Sequence, residues 1–266
     1  MIKAIVCGAA GRMGTRIIDA ICATDGIELV AAIERKGHPK IGDPIVLKPD
    51  KILLTDSLLA EIKKADVIID FSQAKASILN LDVSISHKIP VVIGTTGFND
   101  SEKAMIKKAA EVIPLVFAPN FSIGINFLFG ILEQIGENIP NGYDIEIVET
   151  HHRSKKDSPS GTALRMGEIL AVASDRSLDD IAVFGRCGSD LGPKKKNEIG
   201  IHSVRCGDVV GEHTIILGGL GERIELTHKA HSRDTFAYGA VNAALFVVGA
   251  VPGLYNMQDV LFKKKE

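Results

Sequence analysis

The chain has 266 residues, enough for one large domain or two modest ones. Apolar residues make up 45% and charged residues 24%, with a net charge of −2. That is an ordinary globular composition, and it argues against a nucleic-acid or membrane partner. The four cysteines, Cys7, Cys22, Cys187 and Cys206, form no C-x-x-C pair, which fits reduced thiols in a cytoplasmic protein. The opening "MIKAIVCGAAG" is too short an apolar run for a signal peptide, and no run approaches a membrane span.

From the start, "KAIVCG" reads as a buried strand and "RMGTRIIDAICAT" as a helix, with Met13, Ile17, Ile18 and Ile21 on one face. "IELVAAIE" is a second strand ending on Glu34. Helix and strand then alternate: "LLAEIKKA", "DVIIDFS", "ASILNLDVSISHK", "IPVVIGTTG", "NDSEKAMIKKAAEV" and "IPLVFAPNFS", with Asn99, Asp100 or Ser101 as a helix cap. Continuous apolar strands between helices predict an α/β, doubly wound parallel sheet over residues 1–122. The rhythm then changes to period two in "DIEIVETHH", "EIGIHSVRCGDVVGEHTIILGG" and "ERIELTHKAH". This predicts a smaller α+β domain over 123–232 with an open, mixed or largely antiparallel sheet. Turns are expected at Gly207-Asp208 and Gly218-Gly219, and "SPSGTALRMGEILAVAS" reads as a helix within this domain. The "FGRCGSDLGPKKKNEIG" stretch reads as a mobile loop. "DTFAYGAVNAALFVVGAV" returns to helix, is placed with the first domain as part of 233–266, and is followed by a solvated "KKKE" tail.

"GAAGRMG", Gly8–Gly14, lies between the first strand and the first helix. Such a glycine turn lets backbone approach a pyrophosphate, and the helix start supplies free N–H groups. Glu34 follows 20 residues after Gly14, the offset of an acid that accepts the adenosine ribose hydroxyls. Arg12, Arg35 and Lys36 can pair with a 2′-phosphate, so the residues allow both NADH and NADPH. Gly94–Gly97 and Ala118–Gly124 end two further strands, where ligands of such sheets sit; Asn120 has the amide chemistry for a carboxamide, and Phe121 can pack near a ring.

The densest polar block is "ETHHRSKKDSPSGTA", Glu149–Ala163. Cations beside a helix start, with Ser158 as cap and Pro159 in the first turn, form an anion site suited to a dicarboxylate. A histidine there can act as a general acid near neutral pH. His151, His152, His228 and His231 offer nitrogens, but no H-E-x-x-H or cysteine pair accompanies them, so no metal is expected.

Taken together, "GAAGRMG", "ERKG", "DFS", "VVIGTTGF", "APNFSIGIN", "IVETHHRSKKDSPSGTA" and "RCGDVVGEHT" closely resemble the 4-hydroxy-tetrahydrodipicolinate (dihydrodipicolinate) reductase family. The resemblance spans nearly the whole chain, and the histidine-rich block is its most specific part. It implies a Rossmann-like domain completed by the C-terminal helix, and a central mixed-sheet domain that forms a homotetramer. It implies NADH- or NADPH-dependent reduction of a cyclic imine dicarboxylate in the diaminopimelate route to lysine. It assigns the cofactor to Gly8, Ala9, Ala10, Gly11, Arg12, Met13, Glu34, Arg35, Gly94, Thr95, Thr96, Ala118, Pro119, Asn120 and Phe121. His151 and Lys155 match the positions that exchange protons, and His152, Ser160, Gly161 and Thr162 match substrate-binding positions. Another two-domain dehydrogenase acting on an amino or sugar acid is the alternative: it would share the glycine turn and Glu34 but has no need of the histidine-rich block.

Overall fold

The computed structural model describes residues 1–46 and 51–262; the expected KKKE tail lies outside them. In chain order the elements are β1 (Ile2–Cys7), α1 (Arg12–Cys22), β2 (Ile27–Ile33), β3 (Pro44–Val46), β4 (Lys51–Thr55), α2 (Leu58–Glu61), β5 (Val67–Asp70), α3 (Ala74–His87), β6 (Val91–Ile93), α4 (Asp100–Ala109) and β7 (Pro114–Phe117). There follow α5 (Ile123–Gly136), β8 (Asp144–His151), α6 (Gly161–Val172), α7 (Leu178–Ile181), β9 (Ala182–Phe184), β10 (Ile199–Arg205), β11 (Gly211–Gly219), β12 (Glu222–Ala230), α8 (Asp234–Val247), β13 (Gly253–Tyr255) and α9 (Met257–Leu261). The chain divides into two compact units, residues 1–123 with 233–266 and residues 124–232. No helix among the described residues is long and apolar enough to cross a membrane.

The first unit carries an eight-stranded sheet in the order β13-β7-β6-β5-β1-β2-β4-β3. Every pair is parallel except β3 with β4. The chain adds strands outward from β1 first on one side and then on the other, so the strand order reverses there. Its central strands are buried on both faces, which explains their continuous apolar runs. Ile17, Ile18 and Ile21 of α1 join Ala240, Val241 and Val247 of α8 over one face. Leu58 of α2, Ile78 and Leu81 of α3 and Ile106 of α4 cover the other. Asn99 caps α4 in a full capping box with Glu102. The β3–β4 hairpin, β13 and α9 have no counterpart in the sequence reading.

The second unit has a five-stranded mixed sheet, β12-β11-β8-β10-β9. β8, β10 and β9 pair in parallel, while β11 runs antiparallel to both β8 and β12. Half of the period-two pattern is therefore parallel, because α6 and α7 carry the chain across between β8 and β10. Ile147, Ile199, Ile201, Ile215 and Leu217 point to the face covered by α5 and α6. Alternation places Val148, Thr150, Val204, Thr214 and Ile216 on the other face. The turn after β11 is Leu220-Gly221, with Gly221 at φ +84°; Gly218 and Gly219 are strand residues, so the expected Gly-Gly turn is displaced. The glycine- and lysine-rich loop is tied to this sheet: Lys194 donates to the Ile145 carbonyl at 2.9 Å and pairs with Glu146.

Candidate functional site

The first constellation lies at the carboxyl ends of β1, β2 and β5, beside the strand-order reversal, where ligands of open α/β sheets bind. Gly8 adopts φ +77°, and a Cβ there would stand 2.6 Å from the Phe71 carbonyl oxygen. At Gly14 a Cβ would lie 2.1 Å from the Gly8 oxygen, so α1 starts pressed against the turn. Gly11 is the N-cap of α1 and offers no side chain to its first N–H groups, which leaves them for an anion. β2 ends at Ile33, one residue before the expected Glu34, whose carboxylate accepts the Ala10 N–H at 3.2 Å and the Arg35 N–H at 3.0 Å. It therefore holds the glycine turn as well as facing the cleft. Gly8, Gly11, Glu34, Arg35, Lys36, His38, Phe71 and Ser72 border a cleft of about 540 Å³. Ala9 is buried, Met13 is half-buried, and Arg12, Arg35 and Lys36 are exposed. These residues fit a dinucleotide: a close-approach turn, an uncapped helix start, an acid at the end of the second strand and room beside them.

The segments after β6 and β7 carry two buried side chains, Thr95 and Phe121. Thr95 is 4% exposed and its hydroxyl donates to Asp70 at 3.2 Å, so it turns inward. Asp70 also accepts from Ser72 and Asn80, tying the ends of β5, β6 and α3 together; the sequence reading assigned it no role. The Phe121 ring is buried, with its centroid 5.3 Å from that of Phe71, and belongs to the core. Ala118 is also buried, whereas Thr96 and Pro119 are exposed and Asn120 is half-buried. Gly94 abuts the Phe71 ring, where a Cβ would come within 2.1 Å.

The second constellation belongs to the other unit and is built from side chains. On β8, Glu149 and His151 are two residues apart and share the core face. Glu149 is fully buried, and its carboxylate receives both terminal nitrogens of Arg205 at 2.8 Å. It also takes His151 Nδ1 at 2.5 Å and the Ser160 N–H at 3.1 Å. Burial opposes its charge, but Arg205, His151 and Ser203 outweigh that and bring its pKa down to about 2. The His151 pKa is lowered, first by burial and then by the charges of Lys155 and Arg205, against the opposing pull of Glu149. Burial thus disfavours the charged form of the His151 ring. Lys155 follows in the loop, with its Nζ 2.8 Å from Asp157.

Ser160, not Ser158, caps α6: its hydroxyl accepts the Ala163 N–H. Pro159 lies outside the helix, just before that cap, because α6 starts at Gly161. The Ser160 hydroxyl also meets His213 Nε2 at 3.0 Å. His213 sits 3% exposed on β11, edge-on to His151 with ring centroids 5.1 Å apart. Its pKa falls to about 3, through burial and then the charge of His151. Gly161 is exposed at the start of α6 and is followed by half-buried Thr162; His152, next to His151, is also half-buried. The structure therefore brings together His151, Ser160 and the start of α6, with Lys155 near enough for its charge to act on both histidines. The sequence reading missed Glu149, Arg205 and His213. The E-x-H spacing on a period-two strand was the available signal for Glu149.

Residues 2–121 match the family model described as dihydrodipicolinate reductase, N-terminus, and residues 124–261 the one described as dihydrodipicolinate reductase, C-terminus. The 4-hydroxy-tetrahydrodipicolinate reductase of Geotalea uraniireducens is 48% identical over 98% of this chain and 99% of its own. That of Syntrophus aciditrophicus is 48% identical over 98% of each. A dipicolinate-bound dihydrodipicolinate reductase from Paenisporosarcina sp. TG-14 superposes with a TM-score of 0.77 at 26% identity, covering 98% of this chain and 100% of the other. A myo-inositol dehydrogenase from Corynebacterium glutamicum shares the fold, at a TM-score of 0.60 and 15% identity, covering 98% of this chain and 92% of its own. The chain belongs to the dihydrodipicolinate reductase family.

Proposed function

We propose that this protein reduces 4-hydroxy-tetrahydrodipicolinate to tetrahydrodipicolinate, with loss of water, in the diaminopimelate route to lysine, using NADH or NADPH. The observation that carries this reading is the buried Glu149–His151 pair beside Lys155 and the start of α6. Two substrate carboxylates suit the N–H groups of Gly161 and Thr162 and the side chain of His152. Lys155 and His151 exchange protons with the ring, and Ser160 acts through the cap that fixes the helix start. A bound reduced nicotinamide supplies the hydride. The turn Gly8–Met13 takes the pyrophosphate, Glu34 and Arg35 the adenosine ribose, and Gly94–Thr96 with Ala118–Phe121 border the nicotinamide. The outer face of the five-stranded sheet, with Val148, Val204 and Ile216, supports assembly as a homotetramer, and the protein acts in the cytoplasm.

The test is direct. The purified protein is mixed with NADPH or NADH and with substrate generated from pyruvate and aspartate semialdehyde by the condensing synthase. Reduced-cofactor absorbance should fall with time. Failure with both cofactors overturns the assignment.

A further inference from the structure

We propose that Glu149 is a positioning residue for this reaction, whose one carboxylate fixes the His151 ring as its Nδ1–H tautomer and ties it to the helix start that receives the substrate. The inference rests on the functional reading of His151 and α6 given above. An ionised carboxylate only accepts hydrogen bonds, so the nitrogen of His151 that meets it carries the proton. In the neutral ring, Nε2 is then a bare lone pair. It faces Gly211, where a Cβ would stand 3.1 Å away, so the ring fits because that position has no side chain. The same carboxylate takes the N–H of Ser160, the N-cap of α6. Its remaining lone pairs are filled by Arg205 from β10. The proton-handling ring and the anion-binding helix start are thus referenced to a single buried group. Stability alone does not account for this arrangement, since a buried ion pair is often replaceable by apolar residues at no loss. An orienting carboxylate behind a histidine has large kinetic consequences when its charge is removed, because the ring then takes the wrong tautomer.

The experiment uses the full chain with ¹⁵N-labelled histidine. The wild-type His151 ring should show a protonated Nδ1 and an unprotonated Nε2. Glu149→Gln keeps the size but offers one acceptor oxygen, which cannot serve Arg205, Ser160 and His151 together. We expect it to lose the Nδ1–H signature and to lower kcat by at least about tenfold, with cofactor Kd unchanged. A wild-type Nε2–H tautomer overturns the proposal, as does a Glu149→Gln protein that keeps either its tautomer or its kcat. If Glu149→Gln does not fold, Glu149→Asp is read in the same way, since it keeps the charge for Arg205 while drawing back from His151. The tautomer is measured without substrate, so failure of the assigned reaction and failure of this proposal are separate results.

Discussion

The two constellations are built from different materials. The cleft at the end of β1 is made of backbone: a turn at φ +77°, an uncapped helix start and close approaches that admit no Cβ. The site on β8 is made of side chains: one buried carboxylate, an arginine and two histidines whose hydrogen bonds interlock. A backbone site is fixed by what is absent, so adding a methyl group damages it. A side-chain site is fixed by charge, so it answers to pH and to polar deletions. Substitutions at the two should therefore fail in different ways.

The largest effect is expected at Lys155. Lys155→Ala should lower kcat by roughly 10²–10⁴-fold, the scale of a lost proton donor, with cofactor Kd unchanged; steady-state rates and fluorescence titration check both. Equal loss in kcat and cofactor affinity would break the separation between the two sites. Next comes Gly14→Ala. Its Cβ would enter within 2.1 Å of the Gly8 oxygen, a backbone atom that cannot swing aside. It should cost about 3 kcal/mol of stability and weaken both cofactors alike, seen in urea unfolding and Kd.

The third prediction uses pH. His213 titrates at about 3 in the fold against 6.5 in the open chain. Between those values the unfolded state binds the extra proton, so stability rises with pH across that window and falls as pH drops below 6.5. Glu149 continues the loss from 4.5 down to about 2, because its carboxylate is favoured in the fold. From pH 7 to pH 5 His213→Gln should lose about 2 kcal/mol less stability than the wild type, by urea midpoints at each pH. Equal losses would mean that His213 is charged in the fold. The smallest effects concern cofactor choice. Glu34→Ala should weaken NADH by about tenfold and NADPH less, while Arg12→Ala should weaken NADPH a few-fold, about 1 kcal/mol or less for an exposed charge. Equal effects on both cofactors would leave these two residues out of the discrimination.

Legibility in the sequence follows the same division. The parallel strands, α1, α3 and α4 were readable because continuous apolar runs and helical periodicity are local signals. So were the glycine turn and Glu34, which lie within one strand–helix–strand unit. The β3–β4 hairpin, β13 and α9 are short and carry too few residues to show a period. α5 was hidden because "IGINFLFGILEQIG" is apolar nearly all round and shows little contrast between its faces. Arg205 and His213 were invisible for another reason: they reach Glu149 across strand pairings 56 and 64 residues away, which no local pattern encodes. Ser160 looked like a ligand residue because a serine before Gly-Thr fits either role. Its contacts with Ala163 and His213 come from the fold, and no local pattern encodes the one with His213.

The return of the chain at Arg233 has a consequence for how the protein is made. α8 supplies much of one core face of the first unit, and β13 adds its edge strand beside β7. Both emerge from the ribosome after roughly a hundred residues that belong to the other unit. At 5–20 residues per second, that leaves the apolar surface of β1, β5 and β6 waiting about 5–20 seconds for its cover. The inserted unit has all its own elements by Ser232 and can fold first. During synthesis, therefore, the unit that begins the chain is the last to be finished, and it is the nascent surface a chaperone would meet.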